Sequence, residues 1–237
     1  METVSVIVPT YNRFHILLHA IHSIRQQTYP TIEIIVVNDA STEKEYYEYD
    51  WKAAGVIIIH LKENSKTTFG FACPGGYQRN FGIEVAQGKY IAFCDDDDVW
   101  LPSKIELQIK AMKETGCKMS STDGWIGKGV YNSDQSYKKY NAEHYYHAIQ
   151  QKFKNKGFEC NGFPRIWDLS FMKIHNCMIC SSVVIEKDMI DKTGKFIIAN
   201  FAEDYEYWLR VLEHTSSVYV EEPCFYYDHG HGNGQQY

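Results

Sequence analysis

The chain has 237 residues, 44% of them hydrophobic and 23% charged, with a formal net charge of -6. This is the composition of a globular protein with a real core, and the acidic balance argues against a nucleic-acid binder, which carries a basic face. No run nears the roughly 20 apolar residues of a membrane helix, the start lacks a basic leader, and seven scattered cysteines form no disulfide framework. The sequence therefore predicts a cytoplasmic chain with free thiols and no transmembrane segment.

Val4 to Val8 is a short apolar run that reads as a buried strand ended by Pro9. Phe14, Leu17, Leu18, Ile21 and Ile24 then recur at helical spacing, up to Tyr29-Pro30. Further buried strands are expected at Ile32 to Val37, Val56 to Leu61 and Tyr90 to Cys94, with a helix through Asn80, Ile83 and Ala86 closed by Gly88. Ser103 and Glu106 have capping-box spacing at the head of another helix. From Trp125 to about Asp168 the pattern dissolves, and an irregular, lid-like insertion with a short helix near Ala142 to Phe153 is expected. A late strand at Val183 to Ile185, a helix through Tyr205, Trp208, Leu209 and Leu212, and a Gly- and His-rich tail complete the chain. Trp100 and Trp167 are read as packing residues, and Cys177 and Cys180 as buried structural thiols.

Strands alternating with helices predict an α/β fold with a mostly parallel central sheet flanked by helices. No linker or internal repeat divides it, so residues 1–237 are read as one domain. Such sheets bind ligands beyond the carboxyl ends of their strands. Asp39 and the run Asp95 to Asp98 both stand at such ends.

Four consecutive aspartates repel one another, and a divalent cation relieves that repulsion. Carboxylate oxygens suit Mg²⁺ or Mn²⁺, which complete their shells with water and substrate phosphates, so a nucleotide diphosphate is the natural partner. Alternate residues share a side of the chain, which makes Asp95 and Asp97 the natural pair. An EF-hand loop is excluded because Trp100 stands where Gly is required. P-loop and dinucleotide-binding glycine motifs are absent. A phosphatase of the Asp-x-Asp type carries its motif on the first strand, whereas several strands precede it here.

At this point the residues resemble a known family. Val4 to Arg13, Ile34 to Thr42, Arg79 to Ile83, Tyr90 to Pro102 and Glu203 to Arg210 are similar, in the same order, to segments of family 2 glycosyltransferases of the GT-A fold. The resemblance implies a GT-A domain with a nucleotide-sugar-binding half (1–123) and an acceptor-binding, catalytic half (124–237). It implies an inverting transfer from a nucleotide-sugar donor, with UDP favoured, to a glycan, lipid-linked or protein acceptor.

In that reading Pro9, Thr10, Tyr11 and Arg13 hold the nucleoside end of the donor. Asp39 reads the base, since a carboxylate accepts the uracil N3–H. Arg79, Asp95 and Asp96 belong to the donor site, and Asp97, Asp95, His229 and His231 are the metal candidates. Asp204 is the general base that takes the acceptor proton, with Glu203 and Glu206 in reserve. Asn38 and Ala40 depart from the family pattern beside Asp39, as does the segment Thr67 to Gly76. The competing readings are a non-catalytic nucleotide or glycan-binding module, a metal-dependent phosphatase and a nucleotidylyltransferase. The last would need a basic, Gly-rich loop where Pro9-Thr10-Tyr11-Asn12-Arg13 stands.

Overall fold

The computed structural model describes residues 2–73, 75–156 and 162–231, the last by its backbone alone. In chain order it contains β1 (Val4–Thr10), α1 (Phe14–Arg25), β2 (Ile32–Asn38), α2 (Glu45–Glu48), β3 (Val56–His60), α3 (Ser65–Phe69), α4 (Gly76–Val85), β4 (Tyr90–Phe93), β5 (Val99–Trp100) and α5 (Lys104–Thr115). There follow β6 (Met119–Gly127), β7 (Lys138–Lys139), a wide π-type turn (Tyr140–Tyr145), α6 (Tyr146–Lys154), β8 (Ile166–Trp167), α7 (Leu169–Met172), β9 (Val184–Glu186), α8 (Lys187–Thr193), α9 (Glu203–Leu212) and β10 (Ser217–Asp228).

One ten-stranded sheet runs through both halves of the chain in the order β3-β2-β1-β4-β9-β6-β10-β5, with β7 beside β6 and β8 beside β10. The long ladders are parallel: β1 with β2 and β4, β2 with β3, and β6 with β10. The antiparallel pairings are two or three residues each. The sheet is mostly parallel, as the alternation of strands and helices predicted.

β1, β2 and β4 are largely apolar because both faces are covered, and their successive side chains divide between two layers. Val4, Val6, Val8, Ile34, Val36 and Ala92 pack with Leu17, Ile21, Ile105 and Ile109 of α1 and α5. Ile7, Ile35, Val37, Ile91 and Phe93 pack with Ile83, Trp208 and Val211 of α4 and α9. Full burial of each such side chain stabilises the fold by about 1.5–3 kcal/mol before entropy is counted. Trp100 and Trp167 are buried, with their indole N–H groups donating to Ser181 O and Pro164 O. Cys177 and Cys180 are buried and unbridged.

Three local expectations are corrected. β1 continues through Pro9 to Thr10 in register with β2. Its pairing with β4 stops at Ile7 and Phe93, so the missing proline N–H faces no partner strand there. The capping box does not form. Ser103 makes no side-chain cap, Glu106 accepts from Thr28 Oγ1 at 2.6 Å, and the Gln27 side chain accepts from Ile105 N at 3.1 Å. Finally, Trp125 lies within β6, and the tail begins only after β10, so both strands extend into segments expected to be irregular.

No helix among the described residues is long and apolar enough to cross a membrane.

Candidate active site

β1 and β4 part at their carboxyl ends, and the chain order across the sheet reverses there: β2 and β3 lie to one side of β1, β4 to the other. A crevice opens at such a point. The loop after β1, Asp39 after β2 and the aspartates after β4 all border it.

The first two loops are stitched together. Asn12 N donates to Ser41 Oγ at 2.8 Å, and Asn12 Oδ1 accepts from Thr42 N at 2.7 Å. Tyr46, buried beneath them, pairs its hydroxyl with Thr10 Oγ1 at 2.5 Å and accepts from Arg13 N at 3.1 Å. Burial pushes that phenol up to about 12. The unusual Asn38 has a local reason. Its oxygen accepts from Ser41 N at 2.9 Å while its amide nitrogen meets His60 Nδ1 at 3.0 Å, so Asn38 ties the end of β2 to the turn after it and to β3.

Asp39 is buried, and its carboxylate accepts from Ser65 N (3.0 Å), Ser65 Oγ (2.7 Å) and Asn64 Nδ2 (3.0 Å) at the head of α3. Burial raises its pKa and those hydrogen bonds oppose the shift. Ser65 and Asn64 were not foreseen from sequence.

The four aspartates do not converge on one partner. Arg13 Nη1 donates to Asp96 Oδ1 at 3.0 Å and to Asp97 Oδ2 at 2.8 Å. Asp96 is buried and pushed up to about 7, first by burial and then by the Asp97 charge. Asp98 is buried with Oδ1 accepting from Asp228 N at 3.3 Å, and its Oδ2 has no partner among the described residues. Asp95 is the most open of the three ion-paired aspartates, its side chain 30% exposed. Its backbone N–H donates to Ser181 Oγ at 2.9 Å.

Arg79 joins the two halves of the site. From α4 it donates through Nη2 to Asp95 Oδ1 at 2.5 Å and through Nη1 to Glu203 Oε1 at 3.0 Å. The glycine pair at the head of α4 makes room for this contact. A Cβ on Gly75 would lie 2.7 Å from Arg79 Nη1, and one on Gly76 would lie 2.6 Å from Glu203 Cγ. Gly75 also adopts φ +107, which side chains disfavour. This accounts for part of the segment that departs from the family pattern; Pro74 lies outside the described residues.

Glu203 and Asp204 open α9, after Ala202 in the left-handed region at φ 48. Glu203 is buried and pushed up to about 7 by burial. Asp204 is half-buried at the crevice, raised by burial against the opposing pull of Arg79. Its Oδ1 accepts from Tyr205 N at 2.6 Å. His229 is exposed, next to the Asp228 amide that meets Asp98. The His231 side chain lies outside the described residues. Among those residues no three His, Cys, Asp or Glu side chains converge to hold an ion. The two arginines explain this, since they draw Asp95 and Asp97 toward different guanidinium groups.

The structure thus gathers Thr10, Arg13, Asp39, Arg79, Asp95 to Asp97 and Asp204 around one crevice. Of the residues not foreseen, Ser181 and Tyr46 carry no sequence signal, whereas the Gly75-Gly76 pair is a legible sign of a close approach.

Comparison with known proteins identifies the family and the fold. A model of the family described as glycosyl transferase family 2 matches residues 5–173. The chain is 35% identical over 125 residues to the putative teichuronic acid biosynthesis glycosyltransferase TuaG of Bacillus subtilis, covering 50% of this chain and 45% of that protein. It is 29% identical over 218 residues to WfaP of Escherichia coli, a UDP-Glc:alpha-D-GlcNAc-diphosphoundecaprenol beta-1,3-glucosyltransferase, covering 90% of this chain and 71% of WfaP. Among solved structures, S. aureus TarS 1-349 superposes with a TM-score of 0.68 at 18% identity, over 95% of this chain and 60% of that one. TarS 1-349 has been solved in complex with UDP and with UDP-GlcNAc. The chain spans about half the length of TuaG, and the likeness to TarS establishes the fold as GT-A-like. With its family model covering most of its length, this chain belongs to glycosyl transferase family 2.

Proposed function

We propose that the chain transfers a sugar from a UDP-sugar donor to an acceptor hydroxyl with inversion at the anomeric carbon, Asp204 acting as the general base. The observation that carries this reading is the Arg79 bridge, which sets the half-buried Asp204 and its neighbour Glu203 against Asp95 across one crevice. An inverting transfer needs that separation of duties. One carboxylate draws the proton from the incoming hydroxyl while charge develops on the departing diphosphate elsewhere. Partial burial suits the base, because a carboxylate stripped of some water holds a proton more strongly and so accepts one more readily.

In the reaction the acceptor oxygen forms its bond to the anomeric carbon as its proton passes to Asp204. The bond from that carbon to the UDP oxygen breaks, and UDP carries away the electron pair. Arg13, Arg79 and the loop at Pro9, Thr10 and Tyr11 orient the donor, and Asp39, with its lone pairs only partly used by Ser65 and Asn64, receives the base. The names of WfaP and of the TarS complexes support uridine as the nucleotide, and WfaP supports a lipid-linked sugar as acceptor.

The residues fit a divalent cation. Three of the four aspartates pair with two arginines, one of which is shared with Glu203, and Asp98 Oδ2 is buried without a partner among the described residues. Asp95 and Asp97 would hold Mn²⁺ or Mg²⁺, with His229 and His231 as further candidates. The ion would stabilise the charge on the leaving diphosphate. The cysteines among the described residues, buried and unbridged, support a reducing, cytoplasmic setting.

The test is UDP release from UDP-glucose and UDP-GlcNAc by wild type and by Asp204→Asn. Wild type should release UDP, and the variant should lose release while UDP still raises its melting temperature. Release that survives in Asp204→Asn would remove the assigned base, and absence of UDP binding would remove the donor assignment.

A further inference from the structure

The second half of the chain presents an aromatic group to the crevice that no part of the donor reading uses. Tyr140, at the head of the π-type turn, lies 4.9 Å from the Tyr145 ring and 5.8 Å, edge to face, from Tyr227 near the end of β10. Both Tyr140 and Tyr227 are tied to the aspartate loop through their neighbours. Asn141 Nδ2 donates to Cys177 O at 3.0 Å, and four residues on, Ser181 Oγ accepts from Asp95 N at 2.9 Å. Beside Tyr227, Asp228 N donates to Asp98 Oδ1 at 3.3 Å.

Their electrostatic surroundings agree with that placement. Burial raises both phenols most, and among the further causes Tyr140 feels the charge of Asp204 while Tyr227 feels those of Asp98, Asp95 and Asp97. Geometry sets Tyr227 beside the aspartate loop through Asp228, with Tyr140 edge to face against it. Both side chains are half-buried, and their hydroxyls make no hydrogen bond among the described residues. Yet neither is one of the sealed, orphaned hydroxyls of the core, such as those of Tyr207 and Tyr219. A phenol that is held in place, half-buried and without a hydrogen-bond partner among the described residues is available to a ligand.

We propose that Tyr140 and Tyr227 form the acceptor subsite and that its ligand is a pyranose. A sugar ring offers what the pair lacks. Its hydroxyl and ring oxygens accept from the two phenols, and its C–H faces lie against aromatic rings. Tyr140, packed edge to face on Tyr227, binds the acceptor ring. Tyr227 closes the side toward the aspartates. The position of Tyr140 is itself held from beneath. Asp123 of β6 accepts from Asn141 N at 2.8 Å and Ala142 N at 3.1 Å. This inference rests on the transferase reading above.

The experiment measures UDP release from UDP-glucose and UDP-GlcNAc with and without methyl and octyl glycosides of glucose, galactose and N-acetylglucosamine. It compares wild type with Tyr140→Phe, Tyr227→Phe and Tyr140→Ala. The phenylalanine variants keep the ring and remove one hydrogen bond each. At least one glycoside should stimulate wild type. Each phenylalanine variant should raise the KM for that glycoside about tenfold, the worth of one good hydrogen bond. Glycoside-free hydrolysis and the UDP-induced rise in melting temperature should stay at wild-type levels. An unchanged KM in both phenylalanine variants would overturn the subsite, as would a wild type that hydrolyses donor but responds to no glycoside. Loss of the UDP-induced rise in the tyrosine variants would overturn it too, by giving the pair to the nucleotide. A protein that neither binds UDP nor releases it would instead overturn the transferase reading itself.

Discussion

Arg79 and Glu203, separated by 124 residues in the chain, form a buried ion pair at 3.0 Å, and the same guanidinium holds Asp95 through its second nitrogen. One planar fork therefore fixes the opening of α9 against the end of β4. The first prediction follows from removing it. Arg79→Met leaves Glu203 buried without its cation and should destabilise the protein by about 3–5 kcal/mol. Arg79→Lys keeps the charge but cannot bridge two carboxylates with a fixed fork, so it should recover only part of that loss. Urea unfolding of the three proteins measures both.

Gly76 tests the close approach that makes this ion pair possible. Its Cβ would meet Glu203 Cγ at 2.6 Å and Ile197 O at 3.3 Å, so Gly76→Ala should cost about 1–3 kcal/mol of stability. A Cβ on Gly116 meets nothing within 4 Å. Gly116→Ala therefore carries only the strain of φ +73, about 1 kcal/mol, and should leave activity unchanged. Comparing the melting temperatures and UDP release of the two variants separates site crowding from backbone strain.

Stability should fall as pH rises toward neutrality. Burial pushes Asp96 and Glu203 up to about 7 in the folded protein, above their ordinary values of 3.8 and 4.5. Between those values and about 7 the folded state binds more protons than the unfolded state, and their contribution to stability is lost as pH increases. Urea midpoints at pH 5 and pH 7.5 should show this, and Glu203→Gln should flatten the difference. Activity should run the other way. Asp204 works as a carboxylate, so UDP release should drop as pH falls through its raised titration point.

Cation dependence can be read from binding alone. UDP with Mn²⁺ should raise the melting temperature more than UDP with EDTA. Saturation at about 100 times the dissociation constant corresponds to roughly 2.7 kcal/mol. Asp97→Asn should remove the difference made by Mn²⁺ while keeping the Arg13 contact through its amide oxygen.

Asp123 supports the acceptor side from within the sheet. It is fully buried and accepts from three backbone N–H groups, those of Gly124, Asn141 and Ala142. Asp123→Ala strands those donors and should cost about 1–3 kcal/mol for each that stays buried. Limited proteolysis should then cut first between residues 128 and 156, before the nucleotide-binding half is attacked.

Much of the first half of the molecule was legible because its strands are buried on both faces. Val4 to Val8, Ile32 to Val37 and Tyr90 to Cys94 stand out as apolar runs, and the acids that follow them necessarily fall at strand ends. β6 and β10 were hidden for a physical reason. Ser120, Ser121, Thr122 and Asp123 in β6 are all buried, so polarity there does not mean exposure. Gln108 reaches Ser120 Oγ at 3.0 Å, and Asp123 takes the turn amides, so part of that polarity is satisfied inside the core. β10 is interrupted by Glu221, Glu222 and Pro223, where its register against β6 shifts. The spacing of Ser103 and Glu106 promised a reciprocal cap, but Thr28 and Gln27 from another part of the chain compete for those groups.

By itself the sequence determined the alternation of strands and helices in the first half of the chain, the fold class and the acids that stand at its strand ends. These depend on local periodicity and on residue chemistry. Which carboxylate is free, paired or raised was decided only by the tertiary structure. Arg13 and Arg79 choose among Asp95, Asp96, Asp97 and Glu203 by distance, and Tyr140 comes to lie beside Tyr227 through strands that pair across the chain. Charge interactions fall off with distance and depend on burial. Neither quantity exists until the chain has folded.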